Sequence, residues 1–101
     1  MNFSEIIGFD WDEGNREKNW VKHKVAVYEC EQIFFNDPLF VFEDTKHSES
    51  EQRHYALGQT NNERLLFISF TIRNNLIRII STRPMSKNEK KLYEKHSQEN
   101  S

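Results

Sequence analysis

The chain has 101 residues, with 14 Lys and Arg against 16 Asp and Glu and a net charge of −2, and it carries eight Phe, three Tyr and two Trp. That length sets a single domain over residues 1–101, burying roughly two-thirds of its unfolded surface, and the aromatic content excludes a disordered tail or linker. Cys30 is the only cysteine, so an intramolecular disulfide is excluded; no stretch reaches the roughly 18 apolar residues of a membrane helix, and Met1–Phe9 lacks a secretory pattern, so a soluble cytoplasmic protein is expected.

Phe9-Asp10-Trp11-Asp12 alternates apolar and polar residues, as a short half-buried strand does. Asp12 is a capping residue for a helix at about 13–24, with Glu13 and Glu17 early and Lys22, His23 and Lys24 late, the order that the helix dipole favours. A second helix is predicted from about Ala26 to Phe35, where Val27, Cys30, Ile33 and Phe34 form one apolar stripe, and Asn36-Asp37-Pro38 ends it. The period then falls to two. Leu39–Phe42 reads as a strand leading to Glu43-Asp44, and Thr45–Ser50 as a polar loop. Arg53–Gly58 and Arg64–Arg73 read as strands around a Gln59–Asn62 turn, and Leu76–Arg83 follows a tight Asn74-Asn75 turn. Ser86 and Glu89 form a capping-box signature opening a helix at about Lys87–His96, with a frayed tail beyond. The fold class is therefore α+β: a mainly antiparallel sheet with two N-terminal helices and a C-terminal helix, in the order β-α-α-β-β-β-β-α.

Charge is unevenly spread along this order. Residues 1–50 hold five Lys and Arg against eleven Asp and Glu, and residues 51–101 hold nine against five, so a −6 half adjoins a +4 half. The four histidines, His23, His47, His54 and His96, show no metal-ligand spacing, Cys30 lies in an apolar stripe, and neither a G-x-S-x-G elbow nor a phosphate-binding glycine loop is present. What stands out is arginine in apolar strands: Arg73, Arg78 and Arg83 flank or interrupt Leu76–Thr82. A guanidinium suits a phosphate or a carboxylate, so these residues either meet RNA or form structural ion pairs, Arg78 with Glu51, Asp44 or another carboxylate. Strict alternation puts Arg78 and Arg83 on opposite faces of the sheet. Only a bulge or the strand end would reunite them, and nothing in the sequence marks one. RNA cleavage without a metal needs activation of the 2′-hydroxyl, stabilisation of the phosphorane and protonation of the leaving oxygen. Arginine supplies the second, and His23, His47 or His54 the others.

Three blocks carry a family resemblance. The first is Phe9-Asp10-Trp11-Asp12, Asn19, Lys22-His23, Val25 and Phe35-Asn36-Asp37-Pro38. The second runs from His47-Ser48-Glu49-Ser50-Glu51-Gln52-Arg53 to Gly58. The third is Thr71, Arg73, Ile77–Arg83, Met85-Ser86 and Glu89 to Tyr93-Glu94. In order and spacing they resemble the BrnT family. The resemblance implies a RelE-like fold and the toxin of a type II toxin–antitoxin system: an endoribonuclease that inhibits translation and needs no metal or cofactor. It further implies a hetero-oligomer with a BrnA-like antitoxin, through which alone DNA is bound, and no membrane partner. Position by position it points to Arg78 and Arg83 for phosphate contact and His23 or His47 for proton transfer, with Lys22, Arg53, Arg73 and Tyr93 as substrate-binding residues. Glu51 and Arg53 fit equally well as an ion pair anchoring the loop. Arg78, inside an apolar strand, is expected to matter more to stability than Arg83 at the strand end.

The chain departs from the family where Asn15 replaces a lysine, Lys24 a glycine and Val27 a phenylalanine, and where Lys90 and Lys91 stand in place of arginines. If the family lysine binds RNA, Asn15 predicts weaker activity. Lys24 at a left-handed helix end costs about 1 kcal/mol or shifts that end. Two other functions fit the same residues: a non-catalytic RNA- or ribosome-binding module, and a degenerate toxin surviving as the structural subunit of a repressor complex.

Overall fold

A computed structural model describes residues 3–47 and 51–99, with the side chains of Phe3, Val21 and His47 outside the described set. After a 3-10 turn at Phe3–Glu5 the elements are β1 (Gly8–Asp10), α1 (Glu13–His23), α2 (Val27–Gln32), β2 (Phe40–Asp44), β3 (Arg53–Gln59), β4 (Leu65–Arg73), β5 (Leu76–Pro84) and α3 (Lys87–Glu99), with a second 3-10 turn at Thr45–His47. The five strands form one sheet in the order β1-β5-β4-β3-β2. Strands β2 to β5 are joined antiparallel, as expected. Strand β1 is different: it runs parallel to β5, with Gly8, Phe9 and Asp10 opposite Leu76, Ile77 and Arg78. Parallel neighbours need a long crossover, and everything between β1 and β5 supplies it.

Local chemistry explains most boundaries. Asp12 accepts a hydrogen bond from the Gly14 N–H at 2.7 Å and opens α1. Lys24 ends that helix in the left-handed region at φ 54°, a conformation that glycine adopts more readily than lysine. Asn74 and Asn75, at φ 52° and 63°, turn β4 into β5. Ser86 and Glu89 close a reciprocal capping box: the Ser86 N–H donates to Glu89 at 2.8 Å, and the Glu89 N–H to the Ser86 hydroxyl at 3.2 Å. The helix they open continues to Glu99, three residues beyond the expected end. Helix α2 instead stops at Gln32, because Phe34 and Phe35 donate to carbonyls three residues back and the chain tightens into turns. Strand β2 takes in Glu43 and Asp44, which the sequence places after it.

The sheet has two unlike faces. Val25, Cys30 and Ile33 from the α1–α2 segment pack on Ala56, Leu66, Ile68, Phe70, Ile77 and Ile79 in the main core. On the other face α3 lays Leu92 and Tyr93 over one end of the sheet, against Leu57, Phe40 and Leu65. Gly58 lies buried beneath α2, where a Cβ would come within 3.0 Å of the Ile33 Cβ, so the helix packs directly on the strand backbone. Gly58→Val should therefore lower stability by about 1–3 kcal/mol through overpacking. Thermal unfolding tests this, and an unchanged melting temperature would show that α2 yields freely.

Candidate functional site: an arginine-bearing sheet face and the cleft beside it

The register of β4 and β5 slips at one point. Ser69 pairs with Ser81 but Phe70 pairs with Ile79, leaving Ile80 as an extra residue in β5. This bulge resets the alternation. Arg78 stands opposite Thr71 and Arg83 opposite Phe67, and Thr71 and Phe67 share a face because they are four residues apart. The two arginines that strict alternation separates thus lie on one face, the one that α3 covers only at its end. By the same alternation Arg53 and Tyr55 of β3 belong to this face. Cα positions four strand residues apart on β4 put Arg78 and Arg83 about 13 Å from one another.

The two guanidinium groups are held differently. Arg78 has Asp10 Oδ2 at 3.4 Å and Asp12 Oδ2 at 3.8 Å, a loose pairing with both carboxylates partly in solvent. Arg83 is gripped by Glu89, with Nη1–Oε1 2.7 Å and Nη2–Oε2 2.9 Å, and donates to the Pro84 carbonyl at 3.2 Å. Arg83 holds the Glu89 carboxyl below its ordinary range, helped by the backbone N–H of Ser86, and Glu89 in turn raises the arginine. Arg83 therefore ties β5 to the capping box of α3, and the strand-end residue is the more structurally committed of the two. Arg73 does not pair with Arg78's carboxylates. It clasps Glu51 through Nε and Nη2, a bond that lowers the Glu51 carboxyl, with Arg78 and Arg53 adding to the effect. Glu51 is thus held by Arg73, with Arg53 near enough to act on the same carboxylate.

Strand β1 pairs with β5 only as far as Arg78, and helix α1 takes over the exposed edge. The Asn15 amide donates to the Ile79 carbonyl at 3.1 Å, and one turn later Asn19 Oδ1 accepts from the Thr82 N–H at 3.4 Å. Asn15 therefore has a backbone-binding role at the position where the family carries lysine. Beside this seam lies a cleft of about 160 Å³ lined by Lys18, Asn19, Lys22, His23, Ser81, Thr82 and Arg83. It brings Lys22 and His23, expected from the sequence, together with Arg83, and adds Lys18 and Ser81, which sequence reasoning passed over. The buried Asn19 Nδ2 has no hydrogen-bond partner among the described residues.

Other candidates lie elsewhere. Tyr93 is 5% exposed in the α3 core, and its hydroxyl donates to the Pro38 carbonyl at 2.7 Å, while burial and nearby Asp37 push its pKa up to about 12. His47 ends the Thr45–His47 turn, and its side chain, like residues 48–50 of the same motif, lies outside the described residues. His54 stacks near Phe70, 5.4 Å between centroids, and burial lowers its pKa, which favours the neutral imidazole. Among the described residues no group of three or more His, Cys, Asp or Glu side chains is placed to hold a metal ion.

Arg64 was invisible as a key residue in the sequence. Its Nη2 donates to the His23 carbonyl at 3.0 Å and its Nη1 to the Lys24 carbonyl at 2.8 Å, and Nη1 also meets both oxygens of Glu29 at 3.1 Å. Glu29 in turn accepts from the Ala26 N–H at 3.0 Å. The α1 terminus that carries Lys22 and His23 is thereby fixed to the start of β4.

The sequence model of the family described as "Ribonuclease toxin, BrnT, of type II toxin-antitoxin system" matches residues 11–89. Among curated proteins no sequence matches the chain. Among solved structures, the Brucella abortus ribonuclease toxin BrnT is similar in fold, with a TM-score of 0.61 at 23% identity over 80% of this chain and 99% of that chain.

Proposed function

Since the chain belongs to the BrnT family of type II toxin–antitoxin ribonucleases, we propose that it cuts RNA at the arginine-bearing sheet face, without a metal, and slows translation until a BrnA-like antitoxin covers that face. The observation that supports this reading best is the β5 bulge, which turns Arg78 and Arg83 to the same side. A phosphate lying there meets Arg78, whose carboxylate partners are distant enough to be exchanged for phosphoryl oxygens. As the 2′-oxygen attacks, the phosphorane gains negative charge, and a fixed cation favours it more than the ground state. His23 and Lys22 line the cleft beside Arg83, where His23 is the candidate for proton transfer and Lys22 adds positive charge. Arg53 and Arg73 extend the cationic surface toward the Glu51 loop.

The antitoxin follows from the same layout. A partner segment with acidic residues fits the +4 half of the chain, and an interface on the order of 1,600 Å² would suffice to silence the site by occupying it. DNA binding then belongs to the antitoxin in a hetero-oligomer. The experiment is cleavage of a labelled messenger by the purified chain in excess EDTA, followed by addition of the neighbouring gene product. Retained cleavage in EDTA, lost on adding the partner, is the expected outcome. Soluble, folded protein that leaves RNA intact and lets cells grow at full rate would instead favour the degenerate-subunit reading.

A further inference from the structure

A column of flat groups crosses the sheet face that α3 partly covers. Phe42 and Tyr55 stack with centroids 5.1 Å apart, Tyr55 and Phe67 with centroids 5.4 Å apart, each pair inclined by 25°. The Arg83 guanidinium carbon then lies 4.1 Å from the Phe67 ring centroid. Neighbours on adjacent strands are close enough for this, directly or diagonally, so the column starts on β2 and ends in a cation on β5. No strand lies beyond β5 at this level, because β1 stops opposite Arg78. The far side of Arg83 borders the cleft lined by Lys18, Lys22, His23 and Ser81.

Arg83 is thus used up in an unusual way. Its Nη edge faces the Glu89 carboxylate and the Pro84 carbonyl, and one flat face rests on Phe67. A phosphate seeking the bidentate fork finds a carboxylate already in it. What remains is the outer face of a planar, weakly hydrated cation, a surface on which unpaired RNA bases stack. At about 160 Å³ the cleft is smaller than the roughly 300 Å³ of a typical ligand pocket, so it suits one ring rather than a nucleotide with its sugar. We propose that the outer face of Arg83 is a stacking subsite for a single unpaired RNA base, which extends the Phe42–Tyr55–Phe67 column, while Lys18 and Lys22 hold the adjoining phosphate. The subsite deepens the ribonuclease reading and rests on it. Phe67 is a positioning residue in this arrangement: its ring and the Glu89 fork together fix the plane of the guanidinium. Because every base has a π-face, the subsite selects for single-stranded RNA more than for a particular base.

The test uses short 2′-O-methyl oligonucleotides, which lack the attacking hydroxyl, carrying one 2-aminopurine or one abasic position at each site in turn. At one position the fluorophore should be quenched on binding, and loss of the base there should weaken binding about tenfold. Arg83→Lys keeps a cation for Glu89 but loses the plane, and Phe67→Leu keeps apolar volume but loses the ring. Both should abolish the quenching and bind intact and abasic strands alike, with unchanged circular dichroism. Lys18→Gln should weaken both strands equally, as loss of a phosphate contact does. If every abasic strand binds the parent protein as tightly as the intact one, or if Arg83→Lys retains full quenching, the base subsite is overturned while RNA binding stands. Failure of all strands to bind, with no cleavage of unmodified RNA, overturns the ribonuclease reading and the subsite with it.

Discussion

Arg78→Ala is expected to lower the rate of RNA cleavage by about 10²–10³-fold, the effect of removing one pre-set donor to a developing oxyanion, with little change in stability. The stability half of that expectation follows from geometry. Arg78 is paired at 3.4 and 3.8 Å with carboxylates that are 39% and 50% exposed, and such pairs contribute about 0–1 kcal/mol. Asp12 keeps its hydrogen bond from Gly14 through its other oxygen, so the start of α1 survives the substitution. Arg78→Lys retains charge without the planar fork and should recover only part of the rate. Single-turnover cleavage of a labelled RNA, alongside thermal melts, reads both halves. Cleavage by Arg78→Ala at the parental rate would remove Arg78 from the chemistry and shift attention to the cleft under α1.

The second large effect concerns stability. Arg64→Ala leaves the carbonyls of His23 and Lys24 without their donor and Glu29 without its cation. The pair is only partly exposed, at 32% and 16%. Hydrogen bonds to charged groups are worth roughly 1.5–3 kcal/mol, so a loss of about 2 kcal/mol is expected, or roughly 8–16 °C in melting temperature for a domain of this size. Arg64→Lys should fall between, since one ammonium cannot reach two carbonyls and a carboxylate with the same fixed fork. A melting temperature unchanged in Arg64→Ala would mean that water or a neighbouring donor replaces all three contacts.

The parts of the fold set by near neighbours in the chain were legible. Asp12, Lys24, Asn74-Asn75 and the Ser86–Glu89 pair each act within four residues, and the structure uses each as its chemistry implies. The parts decided by distant segments were not. The parallel placement of β1 depends on a partner 68 residues away, as the Asp10–Arg78 pair shows. The bulge at Ile80 has no glycine or proline to announce it. It arises in the pairing of two whole strands, and with it the arginines pass from opposite faces to the same face. Arg64 reads in isolation as the ordinary first residue of a strand, since both the carbonyls and the carboxylate it binds lie at least 35 residues upstream. Arg83 likewise looked expendable for the fold, because its partner Glu89 was already assigned to a helix cap and does both tasks at once.

The seam where Asn15 and Asn19 meet β5 has a consequence for how the molecule behaves in a crowded cell. A strand with a bare edge is a template on which another chain can extend the sheet, and β5 beyond Arg78 lacks a strand on that side. Two side-chain amides one helical turn apart occupy an outward carbonyl and an outward N–H of that edge, so a helix mimics the hydrogen bonding of a strand without offering a further edge of its own. Strand β1 is only three residues long, which leaves room beside Arg83, and the two amides are expected to make strand exchange between copies less favourable. Asn15 and Asn19 together are therefore expected to discourage self-association through that edge.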